Sequence, residues 1–500
     1  MKEEKKITFD KKDIILFILP CIIFGIALFI YFPGILTFDT FNQLNQIQSM
    51  EFTQVHPFIH TFIEFLLLKI CNNPAIISIF QILVFAIIWT IACKITRNEN
   101  KYSFIFQIIV TLIITIIPVN CINAITLWKD ILYSYSILGI TILLYILSFK
   151  KEKITIPYII LFAINLMFIM FLRHNGKLVG IILMIIFGVI IALKNENKIK
   201  KLFTYLAIIF VLYISFSIPS FIYNVSDTTL TIGPKLLQAV GAFSSRNQLT
   251  DEQINRVSEF CQVEKLNEVY TPYFVDVVAE SITDTDKLNN SIIDLIKIII
   301  DNSFRNPKTA IEYLSESTSI IWRIDRPNET MDIIYGTIVC IEDYSDSENN
   351  LLNIEMNNRD TTLFKNISNI ILYTVNSKLL RVILYSHGGI LYLQIILVLV
   401  MTIFTKNKRY LLLLIPNLLN LLSLVVSIPV QDVRYVYATY IVGYFIILIF
   451  ADFIIKNKDK IGVIIGSKVT RLKVGIRFLK NNGIRSSVRK LFSKLKNILK

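Results

Sequence analysis

The residues best able to do chemistry in this chain are a few acids, cations and histidines that stand at the edges of long apolar segments. They are Asp39, His56, His60, Lys129, Asp130, Arg173, His174, Lys177, His387, Asp432 and Arg434. Placing charged side chains beside lipid costs free energy, so such residues indicate function. A carboxylate can take a proton from a hydroxyl group, and Lys and Arg can bind a phosphate. All four histidines of the chain belong to this group.

Each of these residues also has a simpler structural interpretation. Asp39 could cap a helix that begins near Phe41, because Asp is a favoured N-cap residue. Lys129-Asp130 and the Asp432/Arg434 pair could be local ion pairs, which contribute little. The histidines could lie at the membrane interface without a role. The grouping of acids and cations is therefore more informative than any single member.

The elements that must position these residues are membrane helices. The chain is 54% hydrophobic with a mean hydropathy of +0.60, which argues against a soluble globular protein. Apolar runs of roughly 20 residues with few charges predict transmembrane helices. We therefore predict an all-α polytopic membrane protein with about ten spans, at residues 14–32, 74–93, 103–119, 131–149, 155–172, 178–193, 202–222, 388–404, 410–428 and 434–455.

Basic loops alternate with loops that are almost free of cations, which predicts orientation by the positive-inside rule. Ten crossings place every basic cluster, and both termini, in the cytoplasm of a multi-pass cell-membrane protein. The apolar segment 58–70 would break this alternation if it crossed, so we expect it to lie along the outer surface. All the candidate residues then fall on the outer side. Positive-inside topology also accounts for the net charge of +14 without a nucleic-acid partner.

Charge composition divides the chain into four regions. We expect a seven-helix catalytic module at 1–223, an extracytoplasmic acidic insert at 224–386, three further spans at 387–455 and a basic tail at 456–500. The insert holds 23 acids against 14 Lys and Arg, and about 160 residues suffice for one domain.

The sequence of the insert predicts a mainly helical domain. Thr250 followed by Gln253 predicts a helix start, and Asn306-Pro307 predicts another. The periodic apolar residues at 292–299 suggest a further helix. Cys261 and Cys340 could form a disulfide if the insert is outside the cell, or remain free thiols.

The tail carries 14 Lys and Arg against one acid in an amphipathic pattern. Such a segment is expected to lie on the anionic cytoplasmic leaflet, and a solvated tail is the alternative. The abundance of Ile, Asn and Lys fits an AT-rich bacterial genome.

The order of these parts resembles the GT-C superfamily of polyprenyl-phosphate-dependent glycosyltransferases, which includes the protein O-mannosyltransferases and the aminoarabinose transferases. Asp39 matches the acid of the first outer loop, His56-Pro57 matches the His-Pro that follows it, and Asp130 matches the acid of the second outer loop. The likeness covers residues 14–222, including the seven-span layout.

The resemblance implies transfer of a sugar from a polyprenyl-phosphate-linked donor to a glycan, lipid or protein acceptor. Asp39 would be the catalytic base, and His56 and Asp130 would orient it or the acceptor. The donor phosphate would be bound from among Arg173, Lys177, Lys129, Arg434, His60 and His174.

No cofactor is required by this resemblance, although a divalent metal ion is compatible with it. Thr40 stands where those transferases often carry a second acid, and Phe58 stands where a second proline often follows.

Two other functions stay open at the level of sequence. A ligase or polymerase of lipid-linked glycans would place its essential residues in the insert, which contains the acidic motif Asp284-Thr285-Asp286. A transporter or flippase would show broken helices and inverted repeats at the membrane midplane. The candidate charges lie at one surface instead, which favours an enzyme.

Overall fold

A computed structural model describes residues 9–150, 153–194, 197–226, 232–325 and 361–461. Among them no strand forms, and only isolated β-bridges occur. The helices are α1 (Lys11–Ile30), α2 (Phe38–Ser49), α3 (Phe58–Ile70), α4 (Ala75–Thr96), α5 (Lys101–Ile116), α6 (Pro118–Ile125), α7 (Lys129–Tyr145), α8 (Ile156–Leu172), α9 (Gly176–Lys194), α10 (Lys198–Ile222), α11 (Gly233–Ser244), α12 (Asp251–Ser258), α13 (Val263–Val269), α14 (Val275–Ala279), α15 (Thr285–Asn290), α16 (Ile292–Arg305), α17 (Pro307–Ser317), α18 (Ser319–Trp322), α19 (Thr362–Asn376), α20 (Lys378–Tyr385), α21 (His387–Thr405), α22 (Ile415–Ser427) and α23 (Tyr437–Lys456).

The predicted all-α membrane fold is confirmed in its class. Within the described residues, seven helices are long and apolar enough to cross a membrane. The number reaches nine if two bent helix pairs, α5 with α6 and α19 with α20, each count as one span. Two predicted spans are shorter than expected, because α8 has 17 residues and α22 has 13. The prediction of ten spans therefore stays untested in its exact count.

The bent pair formed by α19 and α20 lies in the part of the chain that we assigned to the soluble insert. The two helices meet at 98°, and together they are apolar enough to count as a broken span. The hydroxyl of Tyr31, at the end of α1, lies 3.1 Å from the hydroxyl of Ser368 on α19. This last part of the insert thus rests on the membrane helices.

The division into compact units falls inside the last helix, with residues 1–448 in one unit and 449–500 in the other. The structure describes the second unit as far as Ile461. Within this part, Lys456 pairs with Asp452. Most of the predicted basic tail, together with Cys340, lies outside the described residues. The thiol of the other insert cysteine, Cys261, is buried and donates to the Ser281 hydroxyl.

The helix starts that were predicted inside the insert are confirmed. Thr250 caps α12, and its side chain and that of Gln253 form a reciprocal capping box. Pro307 opens α17, and the 292–299 segment begins α16. Leu295 and Ile298 of α16 enter a core cluster with Leu237 and Val240 of α11.

Polar side chains connect the C-terminal helices to the N-terminal module within the apolar core. One stripe of α22 carries Asn417, Asn420 and Ser423, which are all buried. The Tyr133 hydroxyl on α7 donates to Asn420 at 2.9 Å, and Asn175 donates to Ser423 at 2.8 Å. Because unpaired polar groups are costly in an apolar environment, these bonds specify how α22 packs.

Tyr133→Phe tests this contact, since it removes the hydroxyl and keeps the ring. It deprives the Asn420 carbonyl of its donor, which is expected to destabilise the protein by about 1–3 kcal/mol. Thermal unfolding of the purified protein in detergent measures the effect. Asn420→Leu with Tyr133→Phe should cost less than the sum of the single changes. Strict additivity would contradict a direct bond.

Candidate functional site

A cluster of opposite charges gathers around Asp39. Its Oδ2 atom accepts from Arg434 at 2.7 Å and from Lys129 at 3.1 Å. The Lys129 ammonium also lies 3.2 Å from Nδ1 of His56. The side chains of Asp39, Lys129 and Arg434 are each less than one-fifth exposed. Three distant parts of the chain thus meet at one carboxylate oxygen.

Local structure at the start of α2 leaves the Asp39 carboxylate available for these contacts. Thr37, and not Asp39, is the N-cap of α2, and its capping box uses Thr40. The Thr40 hydroxyl donates to the carbonyl of Leu127, and the Trp128 indole donates to the Thr37 hydroxyl at 2.8 Å. The α2 start is therefore fastened to the residues that immediately precede Lys129.

A second ion pair lies next to the first. Nε of Arg173 is 3.2 Å from Oδ1 of Asp130, and both side chains are buried. The ring of Tyr435 connects the two pairs, because the guanidinium groups of Arg173 and Arg434 lie 4.8 Å and 5.0 Å from its centroid. Cation–π contact with a shared ring holds two arginines close together although they repel each other.

The electrostatics keep Asp39 ionised and His56 neutral. Burial would raise the pKa of Asp39, but Arg434 and Lys129 outweigh it and hold the pKa well below its ordinary value. Burial, with Lys129 adjacent, lowers the pKa of His56 to about 3. The neutral imidazole can therefore accept a hydrogen bond from Lys129, which helps to position that ammonium group.

Asp432, next to Arg434, is an acid of this site whose pKa is raised toward neutral pH. Its carboxylate lies 3.4 Å from Nε of Arg434, and its oxygen also caps the short 3₁₀ turn Val433–Val436. Burial raises the pKa of Asp432 to about 6, although Arg434 opposes that shift. The charge of the site therefore changes by one unit near pH 6.

This titration predicts a pH dependence of anion binding. As the pH falls through about 6, Asp432 takes up a proton, the site loses one negative charge, and an anionic phosphodiester should bind more tightly. We expect a gain of about three- to tenfold between pH 7.5 and 5, measured with a phosphodiester lipid whose own charge is constant over this range. Asp432→Asn should remove the dependence. An unchanged profile in that variant would assign the titration to another group.

A cavity of about 430 Å³ lies beside Arg173. Its polar wall contains Gln54, Arg173, His174 and Lys177, while its apolar wall includes Phe58, Met170, Phe171 and Ile181. The side chains come from α3, α8, α9, α10 and the connections between them. Such a lining suits a ligand with an anionic group and an apolar part.

His60 occupies a different environment from the other predicted phosphate ligands. It is buried on α3, where Nδ1 lies 3.1 Å from the Gln43 amide nitrogen and 3.6 Å from the Glu64 carboxylate. Burial lowers the pKa of His60 to about 3 and raises that of Glu64 well above its ordinary value. A phosphate could reach His60 only if these contacts opened.

The residues around Asp39 do not fit a divalent metal ion. Within the described part of the chain, no group of three or more His, Cys, Asp or Glu side chains could hold one. The Asp39 oxygen already carries two cations, and Thr40, in place of a second acid, donates its hydroxyl to a backbone carbonyl. Two protein cations therefore already occupy the carboxylate oxygen that a metal ion would need.

The insert is joined to the site through Gln431, three residues before Arg434. The Gln431 side chain accepts from the Ile320 amide at 2.7 Å and donates to the Ser317 carbonyl, while its backbone amide donates to Tyr273. The backbone amide of Val275 donates to Pro429 in the same loop. These bonds fasten the corner between α17 and α18 to the loop that carries Arg434.

Gln431→Ala is expected to loosen this connection, because two buried backbone groups lose their partners at about 1–3 kcal/mol each. Gln431→Glu should also loosen it, since a buried carboxylate still accepts from Ile320 but cannot donate to the Ser317 carbonyl. Limited proteolysis at the insert, followed by mass spectrometry, measures the change. Equal resistance in the wild type and Gln431→Ala would show that other contacts hold the insert.

The structure brings together most of the predicted site residues, and it forms one of the two local ion pairs, Asp432 with Arg434, but not the other. Lys129 contacts Asp39 and not its neighbour Asp130, which pairs with Arg173. His174 and Lys177 line the cavity instead. His387 lies apart, buried near the Tyr440 ring.

Sequence reasoning missed Trp128, Tyr435 and Gln431. The only available signal was that each adjoins a predicted residue in LWKD or QDVRY.

Comparison of the chain with protein-family models, with curated proteins and with solved structures finds no match.

Proposed function

We propose that this protein is a membrane glycosyltransferase that moves a sugar from a polyprenyl-phosphate-linked donor to an acceptor on the outer face of the cell membrane. One observation carries the proposal. A single ionised carboxylate, Asp39, stands between two protein cations, with a third cation and a partly apolar cavity next to them. A phosphate-linked lipid and a hydroxyl nucleophile need these groups.

The reaction would proceed by substitution at the anomeric carbon of the donor sugar. The acceptor oxygen forms the new glycosidic bond, while the bond between the sugar and the phosphate oxygen breaks and its electron pair stays on the phosphate. The hydroxyl proton passes to a carboxylate oxygen of Asp39. Because phosphate is a stable leaving group, no general acid is required.

The cations have a defined task in this reaction. The phosphate changes from a singly charged diester to a monoester that can carry two negative charges, so positive groups that are already in place stabilise the developing charge. Arg434 and Lys129 lie closest to Asp39, and Arg173 and Lys177 line the cavity. When phosphate engages Arg434 and Lys129, Asp39 loses part of their stabilisation and becomes a stronger base.

The polymerase or ligase alternative would require an essential acid in the insert. There, Asp284 already has a structural role, because its side chain accepts from the Lys287 amide and caps α15. This capping role argues against Asp284 as the essential acid of a polymerase.

The test is a reconstitution with purified protein in proteoliposomes, a polyprenyl-phosphate-linked sugar and candidate acceptors. Transfer that is lost in Asp39→Asn and kept in Asp284→Asn would support the proposal. Movement of intact donor across the bilayer without transfer would favour a flippase. Loss of activity in Asp284→Asn alone would favour the insert-based polymerase.

Mass spectrometry of the cell envelope, with and without the chain, identifies the donor and acceptor. Accumulation of a lipid-linked sugar in its absence is expected. Asp39→Cys should react with a membrane-impermeant maleimide in intact cells, and cytosolic labelling alone would contradict the proposed orientation.

A further inference from the structure

The insert presents an apolar stripe on a helix that is otherwise part of a packed core. Helix α16 buries Leu295 and Ile298, yet its opposite face exposes Ile293, Ile296, Ile300 and Phe304. Their spacing of 3, 4 and 4 residues places them along one line of a straight α-helix. Phe304 is 84% exposed and Ile293 69%. A stripe of this kind indicates a surface that packs against another helix.

The stripe is accompanied by charges along one edge. Asp294, Lys297, Asp301 and Arg305 each follow a stripe residue by one position, so they form a parallel line with alternating sign. Lys297 pairs with Asp294 at 3.3 Å and Arg305 pairs with Asp301 at 2.9 Å within the helix. Asp294 also binds Arg256 on α12. The edge therefore carries no net charge that would select anionic lipids.

When two copies of α16 pack in opposite directions, the charges on one copy lie opposite charges of the other sign on its partner. In an antiparallel pair of α16 helices centred near residue 299, Asp294 of one copy faces Arg305 of the other, and Lys297 faces Asp301. The stripe residues 293 to 304 are centred at almost the same point, so the apolar faces meet in the same register. In an antiparallel pair related by a two-fold axis, the charged edge of one helix lies beside the charged edge of the other. The charge pattern of α16 is therefore complementary to that of a second copy of this chain.

The available surface is large enough for such a contact. Ile311 and Leu314 on the neighbouring α17 are also exposed, at 68% and 49%. With the stripe they provide apolar area on the order of several hundred Å², which is within the range of protein interaction surfaces.

We propose that α16 is a self-association surface, through which two copies of this chain pair in antiparallel orientation. The contact is symmetric, with Ile300 close to the two-fold axis and the alternating charges on its edge fixing the register. This proposal is independent of the glycosyltransferase assignment.

Disulfide cross-linking of the full chain in native membranes tests the proposal. Ile300→Cys is expected to give a covalent dimer on mild oxidation, well above the level in the wild type with its native cysteines. The matched control is Lys265→Cys on α13, a position 40% exposed in the insert but away from the stripe, which should give no dimer. Equal cross-linking at both positions would overturn the proposal.

Charge reversal then tests the register. Lys297→Asp places an acid opposite Asp301 and should lower the Ile300→Cys cross-link by about tenfold, while Lys297→Asp with Asp301→Lys should restore it. A third measurement determines whether the stripe is covered by a second copy, covered by the bilayer or free in solution. A fluorophore at position 300 that is quenched by spin-labelled lipids, without cross-linking, would show that the bilayer covers the stripe. Rapid modification by an impermeant maleimide, again without cross-linking, would show a free surface.

Discussion

Asp39→Asn is expected to lower sugar transfer by about 10²- to 10⁴-fold, which is the usual contribution of a general base. The amide keeps the size of the side chain but cannot take the acceptor proton. It also leaves Lys129 and Arg434 without their shared carboxylate, so both become freer to bind phosphate. Donor affinity should therefore stay the same or increase while kcat falls.

Separate measurements of kcat and donor KM in proteoliposomes distinguish a base from a structural acid. A purely structural Asp39 would affect donor binding and thermal stability together, because the two cations would lose their positions. If Asp39→Glu recovers part of the transfer activity and has the same melting temperature as Asp39→Asn, the result would support a role for Asp39 in proton transfer. Full activity in Asp39→Asn would remove the base assignment.

Arg434→Ala is expected to weaken donor binding by roughly 30- to 700-fold, corresponding to about 2–4 kcal/mol for truncating one partner of a buried charge pair. Arg434 donates to Asp39 and to the Tyr435 hydroxyl, and its guanidinium lies 4.8 Å from the Trp128 ring centroid. The planar group thus has fixed orientation before a phosphate arrives. Arg434→Lys keeps the charge but loses the stacking, so it should recover only part of the affinity.

The readout is binding of a fluorescent polyprenyl phosphate to the purified protein, which does not require turnover. Arg246→Ala is the matched control, since Arg246 forms a surface pair with Glu312 in the insert. Its affinity should equal that of the wild type. A similar loss in both variants would indicate a general electrostatic effect, and no loss in Arg434→Ala would place the phosphate elsewhere.

The class of fold could be predicted because it depends on properties that neighbouring residues share. Apolar runs such as that of α4 must lie in lipid or in a core, and a capping pair such as Thr250 and Gln253 fixes a helix start within one turn. The apolar segment 58–70 is the helix α3 with the same bounds, while its place along the outer surface stays a prediction. The 67° bend between α5 and α6 was not predicted, although Pro118, which opens α6, is a local signal for it.

The sequence by itself determined that Asp39, Lys129, Arg173 and Arg434 were unusual, because charge at the edge of an apolar span is costly wherever it occurs. Only the tertiary structure decided their partners. Arg434 pairs with Asp39, which lies 395 positions earlier in the chain. Lys129 also pairs with Asp39, while its neighbour Asp130 pairs with Arg173. Local spacing cannot encode such pairs, because they depend on how α22 and the insert hold the Arg434 loop against α2 and α7.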